Sequence, residues 1–251
     1  MKRKTKNTIK RLLKSKPKLL IGLAAFILVF AISLYFGTDI FDTPTTDGGN
    51  GIPSATLDSI PEWDGETAYV TINDNVPFFT EDEKTTVSFE SYGELDGLGR
   101  CTVCVASVGI DLMPTEDRGS IGSVKPSGWQ TVKYDFISGN YLYNRCHLIG
   151  YQLTSENANK QNLITGTRFL NIEGMLPFED MIADYVKETE NHVMFRVTPI
   201  FDGDNLVADG VLMEAWSVED QGEGICFCVF AYNCQPGVII DYATGESQAA
   251  K

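Results

Sequence analysis

The chain has 251 residues, 43% of them hydrophobic and 22% charged, which is ordinary globular usage and excludes wholesale disorder or a fibrous repeat. The formal net charge is −14, and it is split along the chain. Residues 1–36 hold nine of the 20 basic residues and no acid, so residues 37–251 set eleven basic residues against all 34 acids, a net −23. A basic tail on an acidic body excludes one uniform nucleic-acid-coating surface and assigns the two parts different tasks.

Residues 19–36 form an apolar run interrupted only by Ser33. At about 1.5 Å per residue this helix would reach about 27 Å, enough to cross a bilayer core. The lysine- and arginine-rich residues 1–18 then predict a cytoplasmic N-terminus and an outward-facing body. A cleaved signal peptide is the rival, with Ala31-Ile32-Ser33 as a small-x-small site. The run continues through Leu34, Tyr35 and Phe36, which favours an uncleaved anchor; either reading exports the body. Residues 37–62, rich in Thr, Asp, Gly and Pro, read as a flexible stalk, and residues 63–251 as one domain.

All six cysteines lie in the exported part. An oxidising compartment permits disulfides, and six cysteines allow 15 pairings among which sequence cannot choose. Cys101-x-x-Cys104 suggests a surface thiol oxidoreductase, although no βαβ pattern surrounds it, and no second pair stands at zinc-site spacing.

Alternation predicts strands over residues 68–72 and 101–108, followed by a long loop over 113–129. Residues 131–136 and 141–143 read as short strands around Ser138-Gly-Asn140. Phe178, Met181, Ile182, Tyr185 and Val186 fall at helical spacing, with Pro177 at the start and Glu179 and Asp180 in the first turn. Val193, Phe195 and Val197 alternate with polar Arg196 and Thr198, and further strands read over 206–216, 225–232 and 238–242. Strands, a helical middle and strands again predict an α+β fold with a largely antiparallel central sheet.

Only two histidines are present. His192 opens a strand after a turn and suits a surface role. His147 stands in Tyr143-Asn-Arg-Cys-His-Leu-Ile-Gly150, followed by Asn162, Asn171 and Glu179. A histidine base, amide and carboxylate oxygens that suit Mg²⁺ and the Arg145 fork for a phosphate are together the parts for metal-assisted phosphodiester hydrolysis. Taken singly, each residue has a plainer reading: a loop residue, a helix cap, a strand-end charge, a first-turn acid.

The ordered set resembles the DNA/RNA non-specific endonucleases of the ββα-metal (His-Me finger) class. Asn144-Arg145-Cys146-His147 is similar to their Asp-Arg-Gly-His signature, and residues 162–171 and 174–179 continue the match. The resemblance implies a ββα-metal nuclease fold and a bacterial, membrane-tethered, outward-facing enzyme cutting DNA and RNA. It implies His147 as general base, Asn171 as the direct protein ligand of Mg²⁺ (or Mn²⁺), Glu179 acting through water and Asn162 orienting the site. Arg145, with Arg118 or Arg168, would stabilise transition-state charge, and Lys125 and Lys160 would join Arg118 and Arg168 on substrate phosphates. No protein partner is implied. Three departures stand out: Asn144 for aspartate, Cys146 for glycine, which adds a Cβ where backbone would approach substrate, and Ala183 where some members carry arginine. The first two suggest, as a rival, a non-catalytic nucleic-acid-binding module on the same fold. The acidic body argues against a nucleic-acid enzyme, but residues 118–171 hold six basic residues and two acids, a local +4.

Overall fold

The computed structural model describes residues 60–250. The basic tail 1–18, the expected membrane segment 19–36 and nearly all of the expected stalk lie outside the described residues. Among the described residues no helix is long and apolar enough to cross a membrane.

The sheet is antiparallel and six-stranded: β1 (Tyr69–Thr71), β2 (Phe89–Tyr92), β3 (Cys104–Val108), β6 (Val193–Ile200), β7 (Gly210–Ser217) and β8 (Cys226–Tyr232), in the spatial order β1-β8-β7-β6-β3-β2. A separate hairpin pairs β4 (Tyr143–His147) with β5 (Leu163–Thr167), setting His147 opposite Leu163. A four-residue helix α1 (Tyr151–Thr154) follows β4. A π-helical segment (Leu170–Met175) follows β5 and runs into α2 (Leu176–Thr189). Near the C-terminus β9 (Val238–Ile240) and β10 (Ser247–Ala249) form a small ribbon.

The side-chain period of two decides how the sheet is covered. Val211, Met213 and Ala215 face a core shared with Phe178, Ile182, Ala183 and Val186 of α2. Leu212, between them in sequence, packs on the opposite face with Ile72, Phe230 and Tyr232. The central strands are therefore covered on both faces. Arg196, expected on a polar face, is buried instead, and its guanidinium bonds Glu214 on the neighbouring strand with two nitrogens, at 2.7 and 2.9 Å. The segment before β2 closes the arrangement: Phe78 donates its backbone N–H to Glu214, and Glu83 takes a third Arg196 bond.

Pro177 sits in the first turn of α2 and Glu190 ends it in the left-handed conformation. The predicted helix and antiparallel sheet are present. Four local readings differ. Residues 101–103 precede β3 and are not strand, and β2 and β5 carry no alternation signal. Residues 131–142 pair only through the Lys133–Tyr141 bridge, because Asn140 and Gly139, both at positive φ, close a wide turn.

Candidate active site

The β4–β5 hairpin and the start of α2 enclose a cleft of about 670 Å³. Arg118, Asn144, Arg145, His147, Gly150, Asn171 and Glu179 line it, with Trp129, Tyr141 and Tyr143 along one wall. Arg145 and His147 are two apart on one strand, so the pleat turns both to the cleft. Asn171 comes from the π-helical segment and Glu179 from the first turn of α2.

His147 is 7% exposed, and both ring nitrogens are engaged. Nε2 lies 2.8 Å from the Asn157 carbonyl, which can only accept, so Nε2 carries the proton. Nδ1 lies 3.2 Å from Nη2 of Arg118, which can only donate, so Nδ1 presents its lone pair. Burial, reinforced by the Arg118 charge, lowers the His147 pKa to about 4, against the pull of the Asn157 carbonyl. The imidazole is thus neutral and its tautomer fixed, as a proton acceptor at neutral pH requires.

Arg145 is held where it is needed. Its Nε donates to the Val124 carbonyl, and its guanidinium lies over the Trp129 ring, 4.1 Å from the centroid. Arg118 comes from the long loop. That loop is tied to α1, where Tyr151 Oη donates to the Glu116 carbonyl at 2.9 Å and Ser155 Oγ to that of Leu112 at 2.7 Å.

Glu179 lies on the buried face of an otherwise apolar helix stripe. Burial pushes its carboxyl up to about 8, helped by Asp180 and opposed by Arg118. Its carboxyl group rests on Gly150: a Cβ there would stand 2.6 Å from Oε2 and 2.8 Å from Cδ. Asn171 and Glu179 thus offer a neutral amide oxygen and one acid, a donor set that suits a hard cation retaining most of its water. Among the described residues no cluster of three His, Cys, Asp or Glu side chains could enclose a metal by itself.

Asn162 is fully buried and does not line the cleft. Its amide bonds the Ile149 backbone in both directions, at 2.9 Å each, and its own carbonyl accepts from the Leu148 N–H. It clamps the two residues after His147. Lys125, Lys160 and Arg168 do not line the cleft; Arg118 does. Ala183 is buried in the core beneath α2, so no arginine fits there without disrupting that core.

The Cβ of Cys146 does not crowd the cleft. Its side chain points away, 1% exposed, and Sγ donates to Asn171 Oδ1 at 3.1 Å. Gly166 on β5 makes the room, since a Cβ there would stand 2.5 Å from that of Cys146. Asn144 Nδ2 is buried without a partner at the cleft wall. All six cysteines are free thiols. Burial pushes Cys101 up to about 12 and raises Cys104 as well, the opposite of the lowered pKa that thiol exchange requires. His192 bonds Glu219 at 2.7 Å and does not line the cleft.

Sequence reasoning missed Gly150, Asn157, Tyr151 and Trp129. Gly150, which closes the stretch around His147, was the one visible signal. Asn157 acts through a backbone carbonyl, which any residue supplies.

A family model described as DNA/RNA non-specific endonuclease matches residues 81–219. Among solved structures, NucA from Streptococcus agalactiae with magnesium bound is 22% identical, with a TM-score of 0.67, covering 78% of this chain and 93% of its own. Sda1 nuclease with bound zinc is 28% identical, with a TM-score of 0.56, covering 66% and 82%. A structure titled extracellular endonuclease is 21% identical, with a TM-score of 0.53, covering 70% and 90%. No curated protein sequence matches the chain.

Proposed function

The chain belongs to the DNA/RNA non-specific endonuclease family, and from that premise we propose that it is a metal-dependent enzyme hydrolysing phosphodiester bonds of DNA and RNA with little sequence preference. The observation that carries this reading is the fixed tautomer of His147, with its Nδ1 lone pair beside Arg118 in a cleft that also holds Arg145, Asn171 and Glu179.

Arg145 and Arg118 hold the non-bridging oxygens of the scissile phosphate. A phosphate draws the Arg118 fork toward itself, and this releases His147 Nδ1 to take a proton from the attacking water. The same guanidinium groups then answer the charge that develops on phosphorus oxygens. Asn171 Oδ1 is the protein atom that would hold Mg²⁺, or Mn²⁺ in its place, and Glu179 would hold water beside it. The cation supplies Lewis acidity at the phosphate and charge for the leaving oxygen. Asn162 keeps the chain after His147 in place. Lys125, Lys160 and Arg168 contact phosphates outside the cleft. NucA was solved with magnesium and Sda1 with zinc, which supports a divalent ion here. The apolar run 19–36 supports a tether that leaves the domain outside the cell, and the extracellular neighbours agree with that side.

The test is nicking of supercoiled plasmid, and cleavage of RNA, with Mg²⁺ and with EDTA. Activity should vanish in EDTA, and His147→Ala should lose about 10²–10⁴-fold, the usual worth of a general base. EDTA-resistant cutting, or an inactive His192→Ala beside a normal His147→Ala, refutes the assignment.

A further inference from the structure

The cleft has a wall that the proposed hydrolysis does not use. Residues 129–142 leave the long loop, turn at Ile137–Asn140 and return directly into β4, closed by Tyr134 N–H to the Asn140 carbonyl at 2.8 Å and Leu142 N–H to that of Val132 at 3.0 Å. Their base is anchored by Ile137, Leu142 and Tyr143, buried against Val238. Tyr141, Tyr143, Arg145 and His147 alternate along this stretch, and all four line the cleft. Tyr143 is buried, with its hydroxyl on the Gly245 carbonyl, and serves only as wall. Trp129 already carries Arg145 on its ring. Tyr141 also carries a cation on one face of its ring, Nζ of its bridge partner Lys133 at 4.5 Å from the centroid, but unlike the half-buried Trp129 it is 46% exposed while lining the cleft.

An exposed aromatic face on a rigid anchor, continuous with the phosphate-holding arginines and flanked by a cation, matches the chemistry of a stacked base on a charged backbone. A base inside a duplex has both faces covered by its neighbours, so away from the duplex ends only an unpaired base offers one. We propose, resting on the nuclease reading above, that Tyr141 is a stacking site for an unpaired nucleobase of the strand held in the cleft, with Lys133 on the adjoining phosphate. The enzyme would accordingly bind single-stranded segments in preference to blunt duplex. At about 3.3 Å per residue Tyr141 lies at most about 20 Å along the strand from His147. That places the stacked base within about six nucleotides of the cut at a stacked spacing of about 3.4 Å.

The experiment uses the full-length chain carrying His147→Ala, so that binding is read without cleavage. Its ligands are a single-stranded oligonucleotide, the same sequence as a blunt duplex, and single strands with one abasic nucleotide walked through six positions. Stacking on one base is worth about 1–3 kcal/mol, or about 5- to 150-fold in affinity. Tyr141→Ala should lose that factor on the single strand and less than about twofold on the duplex. Tyr141→Phe should bind like the parent. Phe136→Ala should too: Phe136 is exposed on the same turn but does not line the cleft. One abasic position should reproduce the loss in the parent and add nothing in Tyr141→Ala. Equal losses on single strand and duplex, or indifference to every abasic position, overturn the proposal. If the His147-intact protein nicks plasmid while Tyr141→Ala binds single strands normally, only the stacking site fails. If it neither nicks nor binds, the nuclease reading fails with it.

Discussion

Gly150→Ala tests whether the Glu179 carboxyl must sit where it does. The backbone at residue 150 has φ −59 and ψ 144, which alanine adopts freely, so no backbone strain is introduced. Loss of glycine's freedom in the unfolded chain stabilises by about 0.4–1 kcal/mol. The new methyl, however, would stand 2.6 Å from Glu179 Oε2, 2.8 Å from Cδ and 2.9 Å from Oε1. Carbon–oxygen contact is comfortable from about 3.4 Å, so the carboxyl must recede by roughly 0.8 Å. Overpacking a filled site costs about 1–3 kcal/mol, partly offset by the entropic gain, so the fold is retained. A displacement of this size at a positioned group costs on the order of 10²-fold in rate. Plasmid-nicking rates across a Mg²⁺ series, with a thermal melt of each variant, read both quantities. Gly150→Ala should melt within a few degrees of the parent and cut on the order of 100-fold more slowly. In a Glu179→Ala background the same substitution should cost nothing further. Normal cutting by Gly150→Ala, or a loss that persists without Glu179, refutes the reasoning.

Asn171→Ala should strongly raise the Mg²⁺ concentration needed for half-maximal cutting, because its Oδ1 is the proposed protein ligand, whereas Glu179→Gln should raise it less; an Asn171→Ala titration that overlays the parent rules the assignment out. The His147 pKa is lowered to about 4 from an ordinary 6.5. Between those values the unfolded chain holds a proton that the folded chain does not, so stability should rise with pH across that window and be unaffected by His147 above it. The acid limb of the rate profile should likewise fall near 4, and a limb near 6.5 contradicts the burial argument. Glu214→Ala removes the buried partner of the Arg196 guanidinium and leaves it only the exposed Glu83, and removing one partner of a buried pair costs about 3–5 kcal/mol, to be read from urea unfolding; a loss below about 1 kcal/mol refutes it.

The parts of this protein written locally were legible in its sequence. Alternation marked β1, β3 and β6, and the 3.6-residue stripe with Pro177 marked α2. The order Arg145, His147, Asn162, Asn171, Glu179 named the chemistry, and four of those five line one cleft. Glu179 was visible as an acid in the first turn of that helix, and its burial was not.

Other features were decided by contacts that no local pattern records. β5 is buried on both faces and mixes Thr and Gly with Leu and Ile, so it shows no alternation. Arg196 reads as a solvated residue until Glu214 is placed beside it and residues 78–83 cover that face of the sheet. The choice of Arg118 over Lys125, Lys160 and Arg168 came from tethers between the loop and α1. The His147 tautomer came from the Asn157 carbonyl and from Arg118, 29 residues upstream. Sequence thus determined which reactive groups the chain owns and which short segments hold regular structure, because side-chain identity and periodicity are local properties. Tertiary structure alone decided which of those groups meet, which are desolvated and which proton each one keeps, because burial and charge depend on neighbours that the chain brings together only by folding.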